Sequence, residues 1–164
     1  MLIVRRVALY SFLLISGLLI SCNDAFDELP ETLSYEEQLA KDIEIIDAYL
    51  DENSITANEH ESGLRYVMNV EGTGDSPVLV NSVTVTYEGT FLNGGTFDSN
   101  STGITFPLQN LIESWQIAIP LMKEGGSMTI YAPSGLCYGA SGTTNGIPPN
   151  ANMIFNIDLI EIAD

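Results

Sequence analysis

Basic residues are scarce: five Lys and Arg stand against 22 Asp and Glu in 164 residues. Two of the five, Arg5 and Arg6, sit at the N-terminus, which leaves Lys41, Arg65 and Lys123 for everything that follows. Phosphate backbones are gripped by clustered Lys and Arg, so nucleic acid is excluded as a partner. The same scarcity excludes a polybasic hold on anionic lipid. Histidine occurs once, as His60 in Asn58-Glu59-His60-Glu61. One imidazole among carboxylates, with no thiolate or second histidine near it in sequence, is a poor transition-metal site, and it reads as a solvated charge run. There is no G-x-S-x-G elbow, no P-loop and no GxGxxG after a strand. Of the two cysteines, Cys137 has no histidine to activate it and reads as a small packing residue. Nucleophilic, metal-dependent and nucleotide-dependent catalysis therefore falls away, and neither metal nor cofactor is expected.

Long apolar runs are also missing. The apolar segment near the N-terminus, Val7 to Ile20, has 14 residues and no charge, where a spanning helix needs about 20. A basic start, a short apolar segment and then small residues form the layout of a secretory signal over residues 1–21. It ends in Leu19-Ile20-Ser21-Cys22, which resembles the bacterial lipobox, whose cysteine is acylated and becomes the new N-terminus. That resemblance makes Cys22 a membrane anchor and leaves Cys137 without a disulfide partner. The processed chain would carry 22 acids and three bases, a formal charge of 3 − 22 = −19. Such acidity reads as solubility through self-repulsion, with a specific basic partner as the alternative.

The acids are unevenly spread: 13 of the 22 lie between Asn23 and Ser62, which sets a compositional boundary near Ser62-Gly63. Residues 22–33 hold Pro30 and no apolar period, as an extended tether would. Residues 34–62 form an acidic helix and linker. Ser34 and Glu37 have the spacing of a capping box, and Leu39, Ile43, Ile46 and Leu50 recur at helical steps, so the spacing predicts an amphipathic helix over 35–52. Its apolar stripe needs a surface to lie on, which is either the domain that follows or, alternatively, a partner protein or a second copy of the chain.

From Gly63 to the end at Asp164 the texture is β. Leu64 to Glu71, Ser82 to Leu92 and Phe155 to Leu159 alternate apolar with polar residues. Turns are marked by Gly72-Thr73-Gly74, Asn93-Gly94-Gly95, Gly125-Gly126 and the Gly and Pro cluster between Gly139 and Pro149. One helical pattern runs from Asn110 to Ile119 and stops at Pro120. The expected fold class is α+β, an antiparallel sheet with one short helix across a face.

Six short runs then stand out in order. They are Val85-Thr86-Tyr87-Glu88-Gly89, Gly95-Thr96-Phe97-Asp98-Ser99, Leu111-Ile112-Glu113-Ser114-Trp115, Leu121-Met122-Lys123-Glu124-Gly125-Gly126, Tyr138-Gly139-Ala140, and Ile147-Pro148-Pro149-Asn150-Ala151 followed by Phe155. Singly, each is ordinary: a core tryptophan, an Asx turn at Asp98, an aromatic in a Gly-rich loop. Together, over residues 64–163, they resemble the FKBP-type peptidyl-prolyl cis-trans isomerases. The resemblance implies a half-wrapped antiparallel sheet around a short helix, with an apolar pocket between them. It places Tyr87, Phe97, Asp98, Ile104, Leu111, Ile112, Trp115, Tyr138, Ile147 and Phe155 in that pocket. It gives Trp115 the floor, and it gives the Ile112 N–H and the Tyr138 hydroxyl the substrate carbonyls. Proline-containing polypeptides and macrocyclic FKBP ligands are the partners it implies.

Two positions depart from the family pattern. Many members carry an aromatic where Ile104 falls, and an aromatic or histidine where Thr143 falls. The reading is a lipid-anchored prolyl isomerase assisting exported proteins in a Gram-negative envelope, at the outer membrane, periplasmic or surface-exposed. The rivals are a binding module or holdase on the same fold, and a structural envelope lipoprotein working through its acidic helix.

Overall fold

Ser34 opens the first element. Its Oγ accepts the Glu37 N–H at 3.3 Å while the Glu37 carboxylate accepts the Ser34 N–H at 2.9 Å. This reciprocal cap starts α1, Tyr35–Glu52, over the residues that its spacing predicts. The structure, a computed structural model, describes residues 33–144 and 146–163. The signal segment, Cys22 and the tether up to residue 32 lie outside the described residues.

Six strands follow: β1 (Asn58–Glu59), β2 (Arg65–Val70), β3 (Ser82–Phe91), β4 (Thr96–Pro107), β5 (Ser127–Ala132) and β6 (Met153–Ala163). They form one antiparallel sheet in the order β1-β2-β5-β6-β3-β4. The last strand in sequence is central in space, and its alternation divides the molecule. Met153, Phe155, Ile157 and Leu159 enter the main core with Met128 and Ile130 of β5 and Val83 and Val85 of β3. Asn156 and Asp158 between them stay exposed, and the hydroxyls of Thr129 and Thr86 donate to these two side chains. The short helix α2, Glu113–Ala118, lies over the core face and buries Trp115 and Ala118 there.

Helix α1 covers part of the other face. Ile46 and Leu50 are buried against Tyr131 of β5 and Ile154 of β6. Burial of side chains this size contributes about 1.5–3 kcal/mol each. Leu39 and Ile43 are half-buried over Gly63, where a Cβ would stand only 3.1 and 2.9 Å from their Cδ1 atoms. Gly63 also has φ +91°, so space and backbone both require glycine. The Arg65 guanidinium closes the contact with a two-pronged pair to Asp47 at 2.8 and 3.0 Å. The stripe therefore lies on the sheet.

Several expectations change here. The compositional boundary at Ser62-Gly63 falls inside one compact unit that holds both α1 and the sheet. His60 is half-buried in the β1–β2 turn: its N–H donates to the Leu64 carbonyl at 2.9 Å and its Nδ1 lies 2.9 Å from Ser62 Oγ. The helix expected over 110–119 is only six residues long, flanked by single 3-10 turns at Leu108–Asn110 and Ile119–Leu121. Three strands were not anticipated. β1 is a two-residue pairing inside the segment read as linker. β4 is polar along most of its length and pairs on one side only, and β5 buries residues of both faces, so neither carries a clean alternation.

Candidate active site

A cleft of about 240 Å³ opens between α2 and the inner face of the sheet. Its floor is an aromatic cluster assembled from four elements. Trp115 of α2 is 4% exposed and meets Tyr87 of β3 edge-on at 5.1 Å and Phe155 of β6 edge-on at 5.5 Å. Phe97 of β4 meets Phe155 at 5.6 Å, again nearly perpendicular. Edge-to-face packing sets the positive ring edge against the negative ring face and locks each ring by its neighbour. Gly89 makes room for this: a Cβ there would stand 2.5 Å from Phe97 Cζ and 3.1 Å from Phe155 Cε1.

The polar groups are few. The Tyr87 hydroxyl donates to Asp98 Oδ2 at 2.7 Å, and Asp98 Oδ1 accepts the Ser99 N–H at 2.9 Å. Burial first, then the bond to Asp98, pushes the Tyr87 hydroxyl up to about 12, so it stays protonated at neutral pH. Tyr138 stands at the rim, 37% exposed, and its hydroxyl is raised by burial and by neighbouring Cys137 and Asp98. Ile112 is the N-cap residue of α2. Its carbonyl accepts the Trp115 and Gln116 N–H groups, and among the described residues its own N–H makes no hydrogen bond. Gln116 braces the approach to α2 by donating its amide to the Leu111 carbonyl at 2.7 Å. The buried Trp115 Nε1 likewise has no partner.

Cys137 borders this site without serving it as a nucleophile. Its thiol lies 3.5 Å from Ser114 Oγ, and burial pushes it up to about 12. Among the described residues no group of three or more His, Cys, Asp and Glu side chains could hold a metal ion.

Of the ten residues placed in the pocket from sequence, Tyr87, Phe97, Asp98, Leu111, Ile112, Trp115, Tyr138 and Phe155 line the cleft together. Ile104 and Ile147 do not. Ile104 pairs with Val85 one step along β4, and the aromatic that reaches the cleft is Phe106, two residues on and on the same side of the strand. The apparent loss of an aromatic at Ile104 is thus a matter of alignment across the irregular register between Asn100 and Ile104. Ile147 packs against the edge of the core, and its backbone closes the loop onto Thr143, accepting from its N–H at 2.9 Å and donating to its hydroxyl at 3.2 Å. Sequence reading missed Phe106, Asn110 and the brace Gln116. Counted by twos from Phe97, Phe106 falls on the opposite face of β4, and only the irregularity between them brings both rings to the cleft, so periodicity gave no signal for it.

A half-wrapped antiparallel sheet with a short helix over an aromatic, nearly charge-free cleft defines an FKBP-like domain. The chain belongs to the FKBP-type peptidyl-prolyl cis-trans isomerase family, whose model matches residues 74–160. It is 39% identical over 121 residues to a probable FKBP-type peptidyl-prolyl cis-trans isomerase FkpA of Neisseria meningitidis, a match over 71% of this chain and 44% of the relative. It is 40% identical over 118 residues to the peptidyl-prolyl cis-trans isomerase Mip of Coxiella burnetii, over 66% of this chain and 51% of the relative. The chain thus spans about half the length of these curated relatives. Among solved structures, a peptidyl-prolyl cis-trans isomerase of Pseudomonas syringae superposes with a TM-score of 0.68 at 25% identity, over 81% of this chain and 98% of that one. FkpA of Escherichia coli superposes with the same score at 28% identity, over 78% of this chain and 62% of that one.

Proposed function

We propose that this protein accelerates cis-trans isomerisation of X-Pro bonds in exported polypeptides. The observation that carries the reading is the dry floor of Trp115, Phe155, Phe97 and Tyr87 beside an unengaged Ile112 N–H. The planar imide is polar because resonance separates charge, and the barrier of about 18–20 kcal/mol is the cost of breaking that resonance. At the twisted state the charge separation is gone. An apolar floor therefore favours the twisted imide over the planar one, while the Ile112 N–H and the Tyr138 hydroxyl hold carbonyls on either side of the proline. No proton, metal or cofactor takes part. A ten-thousand-fold acceleration asks for about 5.5 kcal/mol of differential stabilisation, within reach of such a site.

Tyr87 and Asp98 shape the wall. Their hydrogen bond holds the Asp98 carboxylate against the Tyr87 hydroxyl and keeps the phenol neutral, so Tyr87 presents an uncharged ring to the imide. The holdase reading drew on an impoverished rim, and Phe106 supplies an aromatic beside the cleft, which favours catalysis over mere binding.

The same reading places the protein in the cell envelope, tethered through acylated Cys22. It rests on the Leu19-Ile20-Ser21-Cys22 run and agrees with the name of a relative, the outer membrane protein MIP of Legionella longbeachae, 36% identical over 104 residues. Among the described residues no helix is long and apolar enough to cross a membrane.

A protease-free isomerisation assay on proline tetrapeptides tests the activity, with a macrocyclic FKBP ligand as inhibitor. Binding of that ligand without turnover of any peptide would leave only the binding-module reading. Detergent partitioning of Cys22→Ser tests the anchor, and a mutant that still partitions with detergent would remove it.

A further inference from the structure

Asp42 is fully buried at the middle of α1, 0% exposed, far along the chain from the cleft. Its hydrogen-bond partners are all neutral. Oδ1 accepts the Gln38 amide at 2.7 Å, and Oδ2 accepts both the N–H of Ser134, at 2.9 Å, and the Ser134 hydroxyl. Asn152 Oδ1 shares that N–H at 3.0 Å. A carboxylate withdrawn from water onto neutral donors loses solvation that these bonds only partly restore, and an apolar pair would fasten the helix with less loss. What the carboxylate adds is direction: it fixes one residue, Ser134, by both of its donors.

Ser134 is the first residue of the single turn Ser134–Leu136. The turn ends with the Cys137 N–H donating to the Ser134 carbonyl at 3.0 Å, and the next residue is Tyr138 at the rim of the cleft. A second side chain of α1 grips the same turn. The Tyr35 ring lies over Gly135, where a Cβ would come within 2.8 Å of Tyr35 Cε2. Two residues two helical turns apart on α1 thus converge on three residues that carry the chain to Tyr138.

We propose that Asp42 is a positioning residue of the isomerase: it clamps the Ser134–Leu136 turn to α1 and thereby sets where Tyr138 stands over the cleft. The acidic helix is then a working part of the catalytic body. This inference rests on the isomerase reading above, in particular on the Tyr138 hydroxyl holding a substrate carbonyl.

The test is a double-mutant cycle of Asp42→Asn and Tyr138→Phe on the full chain, reading kcat/KM for proline tetrapeptides well below each protein's melting temperature. Asp42→Asn should lower kcat/KM about three- to tenfold in the parent. In the Tyr138→Phe background it should change it less than twofold, because the group being positioned is already gone. Full, additive losses in both backgrounds would overturn the clamp, as would an Asp42→Asn variant that melts earlier but turns over normally. Should Asp42→Asn fail to fold, Ser134→Ala keeps the backbone donor and serves in the same cycle with the same criterion. A parent without activity on any peptide overturns the isomerase reading itself, whereas an active parent with additive losses overturns only the clamp.

Discussion

Replacing Trp115 by alanine removes the floor of the cleft, and the structure permits its consequences to be worked in two parts. The indole is 4% exposed and packs edge-on against Tyr87 and Phe155, so truncation leaves a cavity under the substrate and costs about 3–5 kcal/mol of stability. At about 4 °C per kcal/mol for a domain of this size, the melting temperature should fall by about 12–20 °C. The second part is chemical. With the floor open to water, the twisted imide loses its apolar surroundings, and kcat/KM should drop by more than tenfold even where the protein is fully folded. Trp115→Phe separates the two. It restores an apolar ring and deletes Nε1, which is buried without a partner, so the desolvation cost of about 1–3 kcal/mol for that donor disappears and offsets part of the lost volume. Its melting temperature should stay near the parent's, with kcat/KM reduced less than tenfold. Both variants are assayed at 10 °C by protease-free isomerisation, with folding followed by far-UV circular dichroism, because Trp115 is the only tryptophan and its emission vanishes with it. If folded Trp115→Ala keeps kcat/KM within twofold of the parent, a dry floor is not the source of catalysis.

Three further outcomes follow from the same geometry. Tyr138→Phe keeps the ring and removes one hydroxyl, so it should raise the barrier by about 1–2 kcal/mol with the melting temperature nearly unchanged; an unchanged kcat/KM would free that hydroxyl from any role. Gly89→Ala pushes a methyl into Phe97 and Phe155 and should cost about 1–3 kcal/mol together with activity, whereas a neutral effect by thermal melting would mean that the aromatic cluster yields easily. The Tyr87 and Cys137 protons are bound more tightly in the folded state, at about 12 against ordinary values of 10.0 and 9.0. Unfolding releases them first as pH rises, so their contribution is complete below pH 9 and should be lost progressively between pH 9 and 12 in urea titrations; stability that rises across that window would contradict the burial of both groups.

The sequence by itself determined the local elements whose causes are local. The Ser34–Glu37 box and the stripe of Leu39, Ile43, Ile46 and Leu50 were enough to set α1 from 35 to 52, since a cap and a helical period act within a few residues. The alternation in β3 and the last strand likewise names the faces of a half-buried sheet. Most of the cleft was legible too, because the residues that line it sit in short runs whose order and spacing mark the family. What the chain does not spell out depends on partners far away in sequence. β5 carries no clean period because Tyr131 on its outer face is covered by α1 while Met128 and Ile130 face the core. The register break in β4 moved the rim aromatic from the expected Ile104 to Phe106, since an irregularity shifts every later side chain along the pairing with β3. Acid content marks a change of composition at Ser62-Gly63 but says nothing about packing, because solvated charge on one face of a helix does not report what its other face covers. Asp42 is the sharpest case: in sequence it is one acid among many on an acidic helix, and only the approach of Ser134, 92 residues later, makes it a buried acceptor.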